Sequence, residues 1–162
     1  MKTTILILIF TVLLGTISCD QNKSSKSTSN VQDEKVASNT KTDVPYEIAD
    51  RYFIKNTVEE QKQTLRITSQ SDFDKYFGSA TVMGSDGKPT PIDFSKQYVI
   101  AIIGEQSDYK VSILPLSLES ENNTITLQYK VETGDKQTYT SRALLILVID
   151  NKYSGSIEFE EK

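Results

Sequence analysis

The chain has 162 residues and a formal net charge of −4, from 18 lysines and arginines against 22 aspartates and glutamates. It contains no histidine and a single cysteine, Cys19, which excludes His-dependent catalytic triads, thiol catalysis elsewhere in the chain and the ordinary zinc sites. A slightly acidic chain without a basic cluster also does not suit nucleic-acid binding, so we expect a non-enzymatic binding protein with no metal, no cofactor and no nucleic-acid partner.

Residues 1–18 are typical of a secretory signal peptide. Lys2 precedes the apolar run Ile5 to Gly15, and a charged start with an apolar core of about 7 to 15 residues is the pattern of such a signal. A membrane-spanning helix would need about 20 apolar residues. The next stretch, Thr16-Ile-Ser-Cys19, resembles the lipobox of bacterial lipoproteins, which implies that Cys19 is lipidated and becomes the new N-terminus. The alternative is an ordinary secreted protein with a free thiol.

Residues 19–43 are predicted to be the lipidated cysteine and a flexible polar tether. From Asp20 to Asp43 the chain is polar and charged apart from two valines and one alanine, with no aromatic residue. Such a segment buries too little apolar surface to offset the entropy lost on ordering, and it spans roughly 25 to 30 Å on average. Residues 44–162 then have the size of one compact domain.

The domain is predicted to be mainly β, because its apolar residues follow strand periodicity. Apolar and polar residues alternate from Thr124 to Val131, which indicates a sheet with one buried face. Two runs, Tyr98–Ile103 and Ala143–Ile149, are apolar at both odd and even positions, as expected for strands buried on both faces. For the second run a buried helix remains an alternative, although its β-branched residues favour a strand. A small, mostly antiparallel barrel or sandwich follows.

One helix and one irregular strand complete this prediction. Ser71–Gly78 has an apolar stripe of aromatic residues, with Ser71 and Asp74 as a capping box and Gly78 as its end. Between Val111 and Leu118 the apolar residues change parity around Pro115, which predicts a bulge or an edge position. Turns are expected at Asn122-Asn123 and Gly134-Asp135.

Carboxylates offer the main route to catalysis left open by this composition. Asp93, Glu105, Asp108 and Asp150 follow or precede predicted strands and could form a glycosidase-like pair. Nothing in their spacing singles out two of them. The sequence therefore favours binding over catalysis.

Several segments, taken in chain order, resemble known bacterial families. They are Leu65–Thr68, Ser71–Gly78, Ile92–Ile103 and Tyr109–Ile113. A strand, a short DFxxhF helix, a DFSK turn and an apolar VIA strand in this order resemble the C-terminal domain of the PrcB family, a bacterial protease-complex subunit. Tyr109 matches the tyrosine of that family's Gly-Gly-Tyr strand, whereas Ser107-Asp108 stand where the two glycines occur. On a tethered lipoprotein, the same outline is similar to the potempins, lipoprotein protease inhibitors of Bacteroidetes, which implies an OB-like barrel and an inhibitory function.

Under this resemblance the best candidate contact is an exposed loop with one basic side chain. Lys88 is placed for a specificity pocket, and Pro89 and Pro91 stiffen the loop and hinder hydrolysis. The alternative is a plain surface connection between helix and strand. The loop consists of Gly84, Ser85, Asp86, Gly87, Lys88, Pro89 and Thr90. Secondary candidate contacts are Pro45, Tyr46 and Glu47 in one segment, and Gln106, Ser107, Asp108 and Tyr109 in another.

These observations predict a lipid-anchored, monomeric envelope protein that occupies the active-site cleft of an endogenous or host protease. The resemblance to Bacteroidetes proteins implies the outer membrane, on its periplasmic or surface face. A non-inhibitory assembly module of PrcB type is the main alternative. A ligand-binding or carbohydrate-active lipoprotein is a third possibility, but it would need an aromatic-lined groove, and many aromatic residues are assigned to buried faces.

Overall fold

The computed structural model describes residues 40–81, 83–84 and 87–162. The predicted signal peptide, Cys19 and the tether up to residue 39 lie outside these ranges, as do Ser85 and Asp86. The strands are β1 (Thr42–Asp43), β2 (Glu47–Ile48), β3 (Tyr52–Ile54), β4 (Gln63–Ile67), β5 (Phe77–Ser79), β6 (Gln97–Glu121), β7 (Thr124–Asp150) and β8 (Ser156–Glu161), and the helix α1 is Gln70–Tyr76.

A single long hairpin, made of β6 and β7, organises the domain. Its turn is Asn122-Asn123, with φ angles of 49° and 64°, and asparagine tolerates this left-handed region better than most residues. The register shifts three times between Ile103 and Val111, so the ladder is irregular midway along the hairpin. We call the part from Gln97 to Ile103, with Leu144–Asp150, the proximal half, and the part from Val111 to Glu121, with Thr124–Thr133, the distal half.

Other strands extend each half of the hairpin. In the proximal half, β4 pairs with β6 and β2 pairs with β7, both antiparallel. In the distal half, β1 pairs with β6, and β8 pairs with β7 as the parallel exception in an otherwise antiparallel sheet. This six-stranded sheet is not closed into a barrel. The fold is therefore mainly β with one short helix, as predicted, and it matches the sandwich alternative.

The main core lies between the two halves of the hairpin. Its fully buried members include Ile100 and Leu147 from the proximal half and Ile125 and Leu127 from the distal half. A second core covers the opposite face of the proximal half, where Val99, Ala101 and Ile146 pack with residues of α1 and β5. The two apolar runs are thus strands buried on both faces, as predicted, and the helix alternative for Ala143–Ile149 is wrong.

The second core is built around Phe73 of α1. Its ring lies 5.0 Å from that of Tyr52, 4.9 Å from Phe77 and 5.8 Å from Phe94, measured between centroids. We call β3, α1 and β5 the helical layer, because β3 and β5 form a separate two-stranded sheet beside the helix. Aromatic packing of this kind fixes the layer on the proximal half.

The predicted helix exists, but its boundaries differ from the prediction. Ser69 is the N-cap, and its hydroxyl accepts a hydrogen bond from the Asp72 N–H at 3.1 Å. The capping pair is therefore Ser69 and Asp72, and the assignment to Ser71 and Asp74 was wrong by two residues. Gly78 does not end the helix but lies in β5, where a Cβ would overlap the ring of Phe53.

The predicted irregularity at Pro115 is confirmed. The β6–β7 register shifts between Pro115 and Ser117, so that Ile113 and Leu118 are buried while Leu114 and Leu116 are exposed. At the start of the domain, Thr42 and Asp43 from the end of the predicted tether pair with Ser120 and Glu119. The ordered strand pairing thus begins before residue 44.

Candidate functional site

The loop that carries Lys88 is held closed at its base by the segment between β2 and β3. The Ala80 N–H donates to the Arg51 carbonyl at 2.8 Å, just before the loop begins. On the return side, the Asp50 N–H donates to Thr90 Oγ1 at 3.0 Å, and the Thr90 N–H donates to the Asp50 carbonyl at 3.2 Å. Adjacent residues therefore hold both ends of the loop.

Tyr52 adds a further bond to this base. Its hydroxyl donates to the Thr90 carbonyl at 2.7 Å, while its ring packs on Phe73 in the second core. Partial burial, with a smaller contribution from the charge of Asp74, raises the pKa of Tyr52. The hydroxyl therefore stays protonated and able to donate at neutral pH.

Arg51 adopts a backbone conformation that is unusual for a residue with a side chain. Its φ is 65°, in the left-handed region that costs about 1–2 kcal/mol for an L-residue. The residue before it bonds the loop's return and its own carbonyl bonds the loop's start. Local strain is thus located at the point that fixes the loop, a position where strain is often associated with function.

The described outer residues of the loop are exposed at Met83, Gly84 and Lys88, whereas Gly87 is buried. Met83 is fully exposed, Gly84 has a φ of 128° that favours glycine, and the Gly87 N–H donates to the Gly84 carbonyl at 3.2 Å. Lys88 is exposed, and Pro89 and Thr90 are half-buried as the chain returns to its base. Ser85 and Asp86 lie outside the described residues. The described parts of the loop present one lysine above a closed base.

The segment Pro45–Glu47 lies along the edge of the proximal half. Val44 is 2% exposed and anchors its start in the main core, whereas Pro45 and Tyr46 are exposed. Glu47 pairs with Val148 as the first residue of β2. Only the two residues before the strand are therefore available for an extended contact.

The third candidate segment, Gln106–Tyr109, occupies the irregular middle of the hairpin. The Gln106 amide donates to Thr140 Oγ1 at 2.8 Å, and the Tyr109 N–H donates to Ser107 Oγ at 3.0 Å. Asp108 forms an ion pair with Lys136 at 3.0 Å, and the same ammonium lies 5.8 Å from the centroid of the Tyr109 ring. These polar side chains stabilise the irregular ladder, and Tyr109 remains exposed.

A cleft of about 590 Å³ borders one of the three candidate segments, Gln106–Tyr109, and none of the described residues of the loop Gly84–Thr90 lines it. Its lining includes Tyr52 from the base of the loop and Gln106 from the middle of the hairpin. The segment Pro45–Glu47 does not line it. The remaining walls come from β3, from the segment 55–60 that follows it, and from residues 140–144 of β7.

Arg142 fixes one wall of this cleft. Its guanidinium donates to the carbonyls of Gly104 at 2.9 Å, Gln61 at 2.9 Å and Val58 at 3.4 Å. All of its described hydrogen bonds thus go to backbone oxygens, and no carboxylate pairs with it among the described residues. Arg142 holds the segment after β3 against the hairpin while keeping an uncompensated positive charge.

Sequence reasoning missed Asp50, Tyr52, Phe53 and Arg142. Phe53 is 49% exposed although its neighbours Tyr52 and Ile54 pack on the second core. Three consecutive apolar residues gave no sign of which one faces outward. Arg142 was the one of these residues that the sequence could have indicated. It directly precedes the apolar run 143–149, and a charged side chain at the end of a buried strand needs polar partners from other segments.

Three of the four carboxylates considered for catalysis, Asp93, Asp108 and Asp150, have local partners. Hydrogen bonds from the Ser95 hydroxyl, from Lys96 and from the Ser95 N–H lower the pKa of Asp93 to about 2. Asp108 pairs with Lys136, and Asp150 accepts from the Lys152 N–H at 2.8 Å. Within residues 40–81, 83–84 and 87–162, no group of three or more acidic or metal-binding side chains is arranged to hold a metal ion.

The helices of the described ranges include none that is long and apolar enough to cross a membrane. Comparison with known proteins gives no significant match, whether with protein-family models, curated proteins or solved structures. The structure and the sequence are therefore the basis for assigning a function.

Proposed function

We propose that this protein is a lipid-anchored inhibitor of a protease, and that the loop Gly84–Thr90 enters the active-site cleft of its target. The observation that carries this proposal is the closed base of the loop, where Asp50 and Arg51 bond both ends while Lys88 stays exposed. The resemblance to the potempins points in the same direction.

A closed base suits an inhibitor because it lowers the entropy lost on binding. An interface with a protease buries about 1,600 Å² in total, and each mobile side chain or loop ordered there reduces the affinity. Bonds from Asp50 and Tyr52 to Thr90 fix the return of the loop before the target arrives. Pro89 follows Lys88 directly, so the bond after the candidate specificity residue is an X-Pro bond that resists hydrolysis.

The anchor gives the inhibitor its place in the cell. Lipidation of Cys19 would supply several acyl chains, which exceed the two signals that stable membrane attachment requires. The polar tether would hold the monomeric domain above the headgroups of the outer membrane, on its periplasmic or surface face. Metabolic labelling with a fatty acid, comparing wild type with Cys19→Ser, tests lipidation separately from inhibition. A wild type that takes up no label would contradict the lipid anchor.

Inhibition is tested by titrating the purified protein against trypsin-like, subtilisin-like and metalloprotease activities, including those secreted by the source organism. Lys88→Ala should weaken inhibition about thirtyfold or more, as for an interface hot spot. Lys152→Ala is the matched control, since Lys152 is an exposed lysine on the turn between β7 and β8. Absence of inhibition in all three classes would contradict the proposal.

A further inference from the structure

The outer edge of β3 carries backbone groups that have no strand partner. In the β3–β5 ladder, the bonded pairs include Lys55 with Tyr76 and Arg51 with Ala80. Because backbone groups alternate between the two sides of a strand, the N–H and C=O of Tyr52 and Ile54 point away from β5. Among the described strands, no other one pairs with this edge.

The facing part of β7 has the same property. Ala49 donates its N–H to the Ile146 carbonyl, so the even-numbered residues here direct their backbone groups towards β2 and away from β6. This side of β7 has β2 as its described partner only at Val148 and Leu147. The pairing with the β2 side ends at Ile146, which accepts the bond from Ala49. The N–H and C=O of Leu144 point to the same side of β7, and no described strand pairs with them.

Both open edges border the same cleft of about 590 Å³. Tyr52, Ile54 and Leu144 are all among its lining residues. Unpaired edges of this kind accept an added strand unless they are protected, and β-strand addition is a common mode of peptide recognition. Along β3, the outward backbone groups of Tyr52 and Ile54 are two residues apart, which is the spacing at which an added antiparallel strand pairs.

The charge of the cleft is opposite to that of the whole chain. Lys55 and Arg142 line it against Glu60, whereas the chain carries a formal charge of −4. Lys55 bonds the Asp74 carbonyl and Arg142 bonds three carbonyls, so neither cation has a carboxylate partner among the described residues. A ligand that brings a carboxylate would complement this charge.

Phe53 supplies an apolar anchor at the rim. Its ring lies over Gly78 and is 49% exposed, so it has a fixed position and a surface open to a ligand. Rigid, partly exposed aromatic side chains are typical of binding hot spots.

We propose that this cleft binds an extended segment of a partner protein that carries an acidic side chain and adds to the open edges as a strand. The backbone groups of Tyr52, Ile54 or Leu144 pair with the segment, Phe53 covers its apolar residues, and Arg142 and Lys55 attract the carboxylate. This assignment does not depend on the protease-inhibitor proposal.

The test measures binding of labelled synthetic peptides to the purified full-length chain by fluorescence anisotropy. The probe has about eight residues, which span roughly 26 Å when extended, with alternating threonine and valine and a central glutamate. A second peptide has lysine in place of the glutamate, and a third carries N-methyl groups on alternate residues, which removes the donors along one edge. We expect the glutamate peptide to bind best and the N-methylated peptide not to bind.

Phe53→Ser should weaken binding of the glutamate peptide about fivefold or more. Leu116→Ser is the matched control, because Leu116 is equally exposed, at 49%, but lies in the distal half. Lys55→Glu should reverse the preference between the glutamate and lysine peptides. Circular dichroism melting verifies that each variant is folded.

Hydrogen exchange on the wild type gives a readout without mutation. At least one of the Tyr52, Ile54 and Leu144 amides should exchange more slowly in the presence of the glutamate peptide. The proposal would be overturned if the glutamate peptide showed no saturable binding, or if the N-methylated peptide bound equally well. It would also be overturned if self-association of the protein, and not peptide binding, slowed the exchange.

Discussion

The two halves of the long hairpin have the same backbone pairing but different surroundings. The proximal half is buried on both faces, by the main core on one side and by the helical layer on the other. The distal half is buried on one face, and its outer face carries polar residues such as Glu119, Thr126 and Gln128. The candidate loop and the cleft are both built on the helical-layer side of the proximal half, so the doubly buried half supports both candidate sites.

The largest expected effects come from substituting neighbouring residues, which lie on opposite faces of the same strand, in each half of the hairpin. Ile146→Ala and Leu147→Ala, on opposite faces of the proximal half, should each lower the free energy of unfolding by about 2–5 kcal/mol. In the distal half, Leu127→Ala should cost as much, whereas its neighbour Gln128→Ala should change the free energy by about 0.5 kcal/mol or less. Urea unfolding measures all four variants, and a small effect at Ile146 would contradict a buried second face.

The next effect tests how the helical layer is packed. Gly78→Ala should cost about 1–3 kcal/mol, because the added methyl group overlaps the Phe53 ring and overpacking must be relieved by movement. Gly134→Ala in the hairpin is the control, since its nearest atoms would be 3.5 Å away.

A double variant shows whether that contact is the cause. In a Phe53→Ala background, Gly78→Ala should cost much less than in the wild type. Additive effects of the two substitutions would contradict direct contact, since residues in contact are expected to be coupled.

Substitution of a buried tyrosine in the main core should have a smaller effect, and it should raise the free energy of unfolding where the preceding substitutions lower it. Tyr98 is 1% exposed, and its hydroxyl has no hydrogen-bond partner among the described residues. Because an unsatisfied buried hydroxyl carries a desolvation cost, Tyr98→Phe should raise the free energy of unfolding by about 1 kcal/mol. Tyr129→Phe should lower it slightly, since the Tyr129 hydroxyl bonds Glu161 at 3.3 Å. A destabilised Tyr98→Phe would show that the hydroxyl has a partner.

The smallest effect concerns the turn that leads into the proximal half. The folded-state pKa of Asp93, about 2, lies below its ordinary value of 3.8. The stabilisation by its ionised form is therefore complete above about pH 4 and is lost as the pH falls towards 2. Asp93→Asn should be slightly less stable than wild type at pH 7, and the difference should disappear as the pH falls below 2.

The same pKa can be measured directly. Titration of the Asp93 carboxyl carbon by NMR should give a value near 2 in the wild type. Ser95→Ala should move it upward, because the Ser95 hydroxyl makes the largest contribution to the shift. An unchanged value in this variant would show that other groups hold the carboxylate.

The strands of both halves could be predicted from the sequence because each half has its own burial pattern. Continuous apolar runs marked Tyr98–Ile103 and Ala143–Ile149, and alternation marked Thr124–Val131. The sequence did not reveal that one hairpin contains all three, since the irregular ladder near Gln106 depends on long-range pairing. The sandwich therefore became evident only from the register.

The candidate site was predictable only in its exposed part. The loop around Lys88 could be recognised from glycine, proline and a single charge, which are local signals. Its base could not, because Asp50 and Thr90 are 40 residues apart in the chain. The helix start was misplaced because Ser69 and Ser71 each stand three residues before an aspartate, so the local pattern does not distinguish the two caps.

The most direct test of the central claim compares binding to a protease with a free active site and to the same protease with its active site irreversibly blocked. If the loop occupies the catalytic cleft, the protein should bind the free enzyme and lose most of its affinity for the blocked enzyme. Equal affinity for both forms, with the enzyme still active in the complex, would contradict inhibition and identify a non-inhibitory assembly module.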